Sequence, residues 1–158
     1  MVCTFFGHRT AGEEIAERLR EIIIDLIENK NVTLFYVGNQ GHFDAMVRRE
    51  LKKLKRSYPH IRYFVVLAYM PSKQKDEATA DYSDTIYFTI PKNTPPRFAI
   101  DKRNRIMIEK ADFVVTYVRT VVGGAAKYKE IAEKQRKNVI NISAIKNLPL
   151  MREVFCFN

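Results

Sequence analysis

Short, almost wholly apolar runs alternate along this chain with stretches of helical period, and that alternation leaves few folds open. Val2 to Phe6, Val32 to Val37, Ile61 to Leu67 (after the polar Arg62), Phe113 to Tyr117 and Val139 to Ile142 read as strands. A strand apolar on both sides must be covered on both faces, which a parallel sheet between helix layers provides. The intervening segments supply the cover. Ile15, Leu19, Ile22, Ile23, Leu26 and Ile27 repeat at helical spacing behind Thr10 and Glu13, which have capping-box spacing, and that helix ends near Asn29. Phe43, Met46, Val47, Leu51 and Leu54 form the apolar stripe of a second helix, stopped at Tyr58-Pro59. Phe98 to Lys110 and Ala125 to Lys137 read as a third and a fourth helix. The expected class is α/β, with a mostly parallel central sheet.

From Ala68 to Pro96 the rhythm breaks. This segment holds Pro71, a charged piece from Lys73 to Asp84, a fourth strand at Thr85 to Thr89, and then Pro91, Pro95 and Pro96. The loop from Ala68 to Asp84 leaves the carboxyl end of a strand, where it either covers a ligand or is a polar excursion. Beyond Ser143 a short apolar end containing Pro149 reads as a terminal turn. No repeat or linker divides the 158 residues, so one domain over 1–158 is expected.

Glycine turns follow three of the strands: Gly7-His8-Arg9, Gly38-Asn39-Gln40-Gly41 and Gly123-Gly124. Where a strand's carboxyl end turns into a helix, glycine lets backbone approach a ligand closely, free N–H groups point outward and the helix dipole favours an anion. Three such turns on one sheet edge point to a nucleotide-like ligand; tight strand-to-helix packing is the plainer alternative. Arg9 and Arg103 are suited to clamp a phosphate bidentately, as lysine is not. Asn39 and Gln40 offer neutral donors and acceptors for ribose or base edges, or stabilise their own turn. Asp44 accepts from a ribose hydroxyl or favours its helix N-terminus. Arg103 follows Ala99 by four residues, so the two share a helix face; a cleft-lining surface position is expected for Arg103 and Asn104.

His8 and His42 each lie in a glycine turn, whereas His60 follows Pro59. No spacing of metal ligands accompanies them, and no metal site is expected. Cys3 and Cys156 belong to no CxxC pair, which leaves zinc and thioredoxin-type chemistry unsupported. No apolar run approaches the roughly 20 residues of a membrane span. The start of the chain reads as a strand and not a signal peptide, so a cytoplasmic protein is expected. Net charge is +9, with Arg48, Arg49, Lys52, Lys53, Lys55 and Arg56 set against Glu50 alone. Attraction to nucleic acid is one reading. A solvated helix face is preferred, because no aromatics interleave with the bases.

Taken together, several blocks resemble the SLOG superfamily, the DprA (Smf) and LOG-like Rossmannoid proteins, and in particular its YpsA-like branch. They are Thr4-Phe5-Phe6-Gly7-His8-Arg9, Phe35 to Asp44, Val66 to Pro71, Arg97-Phe98-Ala99-Ile100, and Arg103-Asn104-Arg105-Ile106-Met107 through Gly123-Gly124-Ala125. The resemblance runs through nearly the whole chain. It implies a Rossmann-like three-layer domain with a nucleotide-type ligand beyond the strand carboxyl ends, held by residues that include Arg97 and Ala125. Against the LOG enzymes' pattern, Arg103 matches the Arg, Met107 the Met, Asp112 the Asp, Gly123 and Gly124 the glycine pair and Glu130 the Glu. Asn104 stands in place of Lys, Val122 of Pro, Ala126 of Gly and Lys127 of Thr, and the spacer after Asp112 is longer.

Three functions are therefore expected in order. The first is a module that senses or sequesters a nucleotide or derivative such as ADP-ribose, an NAD-like molecule or a signalling nucleotide, with no cofactor required. The second is a LOG-like hydrolase of the N-glycosidic bond in nucleoside monophosphates, with Arg103 and Glu130 catalytic. The third is single-stranded DNA binding in the manner of DprA. The resemblance also implies a homo-oligomer, for which Val121, Val122, Phe155 and Phe157 offer apolar surface.

Overall fold

A computed structural model describes residues 1–69 and 84–144. Six strands form one sheet: β1 (Val2–Gly7), β2 (Leu34–Val37), β3 (Arg62–Leu67), β4 (Thr85–Tyr87), β5 (Phe113–Tyr117) and β6 (Asn138–Asn141). Their order is β4-β3-β2-β1-β5-β6, and every neighbouring pair is parallel. Four helices cover the sheet: α1 (Ala16–Asn29), α2 (Gly41–Ser57), α3 (Pro96–Lys110) and α4 (Gly124–Lys134). None of them is long and apolar enough to cross a membrane. The architecture is the three-layer, Rossmann-like one expected from the sequence.

Alternating strand residues feed two cores. Phe5, Phe35 and Val115 pack with Leu19, Ile22, Ile23 and Leu26 of α1 and Phe43, Val47 and Leu51 of α2. Phe6, Val66 and Val114 face the other way, onto Met107 and Ile108 of α3 and Tyr128 and Ala132 of α4. Each such aliphatic or aromatic side chain contributes about 1.5–3 kcal/mol when taken from water. Cys3 lies in the first core, where burial pushes its thiol well above the ordinary range and leaves it unreactive.

The chain runs from β1 outward to β4 on one side, then returns through α3 to β5 on the other side of β1. The strand order therefore reverses between β1 and β5. At such a switch point the connections leave on opposite faces and open a crevice at the carboxyl ends.

Several boundaries differ from the sequence expectation. The Thr10–Glu13 capping box does not form: a 3-10 turn at Glu13–Ile15 precedes α1, and no side-chain cap hydrogen bond is made. The Glu13 carboxylate is engaged elsewhere, accepting both Arg49 Nη atoms at 2.9 and 2.6 Å. β2 begins at Leu34 because Val32 turns its N–H back onto Leu26 O. α4 stops at Lys134, short of Lys137, and Arg136 takes a left-handed φ of 57°. Residues 70–83 of the Ala68 to Asp84 loop, whether cover or polar excursion, and residues 145–158 of the terminal turn beyond Ser143 lie outside the described residues.

Candidate functional site

A cleft of about 610 Å³ opens at the switch point. Its walls come from the turn after β1 (Gly7, His8, Arg9), the turn and helix after β2 (Gly38, Gln40, Asp44), the face of α3 (Arg97, Arg103, Asn104) and the start of α4 (Gly124, Ala125). These are eleven of the fifteen residues singled out by sequence, brought together from four separate segments.

The other four sit elsewhere. Asn39 is exposed and does not line the cleft, and its side-chain oxygen accepts Arg103 Nη1 at 2.9 Å. Gly41 has φ +83°, and a Cβ there would come within 2.8 Å of the Arg9 backbone, so glycine lets the two turns pack; His42 N–H donates to Arg9 O at 3.0 Å. Gly123, at φ +112°, sets the direction of the chain into α4. Glu130 is 64% exposed and pairs with Lys134 at 2.6 Å, away from the cleft lining.

Arg103 overturns its expectation of a surface position. It is 2% exposed. Its Nε donates to Asn104 Oδ1 at 3.0 Å, and Nη1 donates to Asn39 Oδ1 and Val66 O at 2.9 and 3.0 Å. Arg103 and Ala99 do share a face, as their spacing requires, but that face is packed against the sheet. The guanidinium thus joins α3 to β3 and to the turn after β2. Burial lowers its pKa from the ordinary value, against the attraction of Asp44.

Asp44 is 8% exposed, in the first turn of α2. Burial, first of all, pushes its carboxyl up to about 6, while the Gln40 N–H at 2.9 Å and the charges of Arg103, Arg48 and Arg9 pull the other way. Gly38 makes this placement possible: a Cβ there would lie 2.6 Å from Asp44 Oδ2.

The turns themselves are fastened together. His8 N–H donates to Tyr117 O, and His8 Nε2 accepts the Arg119 N–H at 2.8 Å. Asn141 grips Val118 from both sides, accepting its N–H and donating to its carbonyl. His42 and His60 are exposed and line nothing in the cleft. Among the described residues no group of histidine, cysteine and carboxylate side chains is placed to hold a metal ion. Asp112, the counterpart of the LOG-enzyme Asp, accepts Val2 N–H at 2.8 Å at the amino end of β1, so it lies at the edge opposite the cleft.

At the start of α4 the first turn carries neither a side-chain cap nor an acid. A Cβ at Gly123 or Gly124 would meet nothing within 4 Å. Free backbone donors, the helix dipole and open space coincide there, which is an anion-binding arrangement.

Sequence reasoning missed Asp101, Lys127 and Tyr128, which also line the cleft. Asp101 accepts Lys127 Nζ at 2.6 Å, Tyr128 Oη at 2.9 Å and Arg105 Nε at 2.8 Å. Partial burial raises the Asp101 pKa, but these donors outweigh it and hold it down to about 2. Tyr128 stacks on Phe6 with centroids 5.2 Å apart. Its signal in the sequence was weak, since a tyrosine among Lys127, Lys129 and Glu130 reads as an ordinary charged helix. Val121 and Val122, ahead of the glycine pair, are 96% and 76% exposed.

No family model matches this chain, and none of the curated proteins matches it in sequence. Its fold is shared with solved structures of DNA processing protein A. The protein from Streptococcus pneumoniae superposes with a TM-score of 0.63 at 16% identity, over 87% of this chain and 48% of that one. The Helicobacter pylori protein, described for its single-stranded DNA binding mode, gives 0.60 at 14% identity, over 88% of this chain and 63% of that one. This chain therefore spans about half to two thirds of the length of those neighbours.

Proposed function

We propose that this chain binds a nucleotide or nucleotide-derived ligand in the cleft, as a sensor or sequestering module. The observation that carries the reading is the uncapped start of α4, facing open space in the same cleft as Arg9 and Arg97. Phosphate oxygens are the acceptors such a set of donors suits. The motif blocks, together with the shared DprA fold, support assignment to the SLOG superfamily, and the motifs alone support its YpsA-like branch. Calorimetric titration with AMP, ADP-ribose, NAD and a cyclic dinucleotide tests the reading. At least one is expected to bind with a Kd in the micromolar range; no binding by any of them at millimolar concentration contradicts it.

Single-stranded DNA binding is the second reading, favoured by the fold likeness to the Helicobacter pylori protein and by the +9 charge. Fluorescence polarisation with an oligo-dT strand should then show affinity falling steeply as salt rises. Hydrolysis of an N-glycosidic bond draws no support from Glu130, which is exposed and ion-paired outside the cleft lining.

A further inference from the structure

Asp44 is out of place in a cleft for phosphates. Its carboxylate is buried beside the very groups that would attract an anion, and it would repel one. Among the described residues one hydrogen bond reaches it, from Gln40 N–H to Oδ2, and no cation comes within ion-pair distance. A buried carboxylate accepts several hydrogen bonds and donates none when ionised, so the described residues leave most of its capacity unmet. A ligand in the cleft can bring donors to it. Phosphates are acceptors at neutral pH, and the donors of the bases differ from base to base. The vicinal 2′- and 3′-hydroxyls are a pair of donors carried by every ribonucleoside 5′-phosphate whose sugar is otherwise unesterified, whatever its base.

Resting on the nucleotide reading above, we propose that Asp44 accepts hydrogen bonds from the ribose diol, making the cleft selective for ribonucleotides over nucleotides that lack those hydroxyls. The cleft then divides by chemistry. The start of α4, with Arg9 and Arg97, takes the phosphate, and the turn after β2 takes the sugar. Gly38 keeps its backbone close enough for the carboxylate to lie against it, at a separation that any side chain would occupy. A deoxyribonucleotide strand has no 2′-hydroxyl and its 3′-oxygen is esterified, so DNA is a poor occupant of this sugar subsite.

The test titrates the full chain at pH 8 with AMP, GMP, CMP and UMP and with their 2′,3′-dideoxy counterparts, up to millimolar concentration. At least one ribonucleotide should bind about tenfold or more tightly than its dideoxy form, as expected for hydrogen bonds to a charged acceptor. Asp44→Asn should shrink that ratio towards one while phosphate-dependent binding persists. Equal affinity of ribo and dideoxy forms for the unmodified chain overturns the proposal and leaves the nucleotide reading standing. Discrimination that follows the base rather than the sugar also overturns it. Failure of all eight ligands to bind overturns the proposal, and the nucleotide reading falls with it only if ADP-ribose, NAD and the cyclic dinucleotide also fail to bind. The comparison between ligands on the unmodified chain does not depend on how the variant folds.

Discussion

Arg103 and Asp44 are neighbours in the cleft wall with opposite effects on stability. Arg103 has its hydrogen bonds made: removing it strands Asn104 Oδ1 and the Val66 carbonyl inside the protein and breaks the bond to the exposed Asn39. Arg103→Ala should therefore lower unfolding free energy by about 2–4 kcal/mol, read by chemical denaturation. A stability change below about 0.5 kcal/mol, as for surface positions, would contradict that placement. Asp44 works the other way. Its folded-state value of about 6 lies above the ordinary 3.8, so the folded protein holds that proton more tightly than the unfolded chain. The native state is then favoured at low pH, and this contribution is lost as pH rises through about 4 to 6. Asp44→Asn should stabilise the protein at pH 8 by on the order of 2–3 kcal/mol, and the gap should close below pH 4. Measuring the variant against the unmodified chain across pH separates Asp44 from carboxylates held low, such as Asp101. A variant less stable at pH 8 would mean the carboxylate is already paired.

The first turn of α4 makes a separate claim at the level of the element. Gly123 has a φ that L side chains rarely adopt, so Gly123→Ala should destabilise by about 1–3 kcal/mol. Gly124 has neither that conformation nor a neighbour within 4 Å. Gly124→Ala should thus leave thermal stability unchanged or slightly raised, while its methyl group, set in the cleft mouth, weakens nucleotide binding. Unchanged affinity would remove the start of α4 from the site. Elements of this kind were legible in the sequence because period and glycine placement are local properties. Phe113–Tyr117 and the second helix's stripe of Phe43, Val47 and Leu51 came from pattern alone. What escaped was set by partners distant in sequence. Glu50 looked like a lone acid in a basic face, yet it is fully buried and receives Arg20 from α1 at 2.8 Å. Burial raises its pKa, but the Arg20 bond and the charges of Lys53 and Arg49 leave it below the ordinary value. Glu13 likewise left its expected cap for Arg49, 36 residues away. Arg103 was placed on the correct helix face, but whether that face met water or sheet depended on β3.

At the scale of the whole molecule, the +9 charge and the cleft make different claims about where a nucleic acid component would touch. Part of the basic face of α2 is neutralised internally, with Arg49 on Glu13 and Lys53 beside Glu50. Lys52, Lys55 and Arg56 stay exposed and are the bases that a strand running over the surface would meet. The cleft lies at the strand carboxyl ends, where β1 and β5 part. Amide chemical shifts of an isotope-labelled sample, followed as AMP is added, distinguish the two surfaces most directly. The account predicts perturbations at Gly7 to Arg9, Gly38 to Asp44 and Gly124 to Lys127, with Lys52 to Arg56 unmoved. Perturbations confined to Lys52–Arg56, or none with AMP and none with ADP-ribose, NAD or a cyclic dinucleotide added in its place at millimolar concentration, would contradict it.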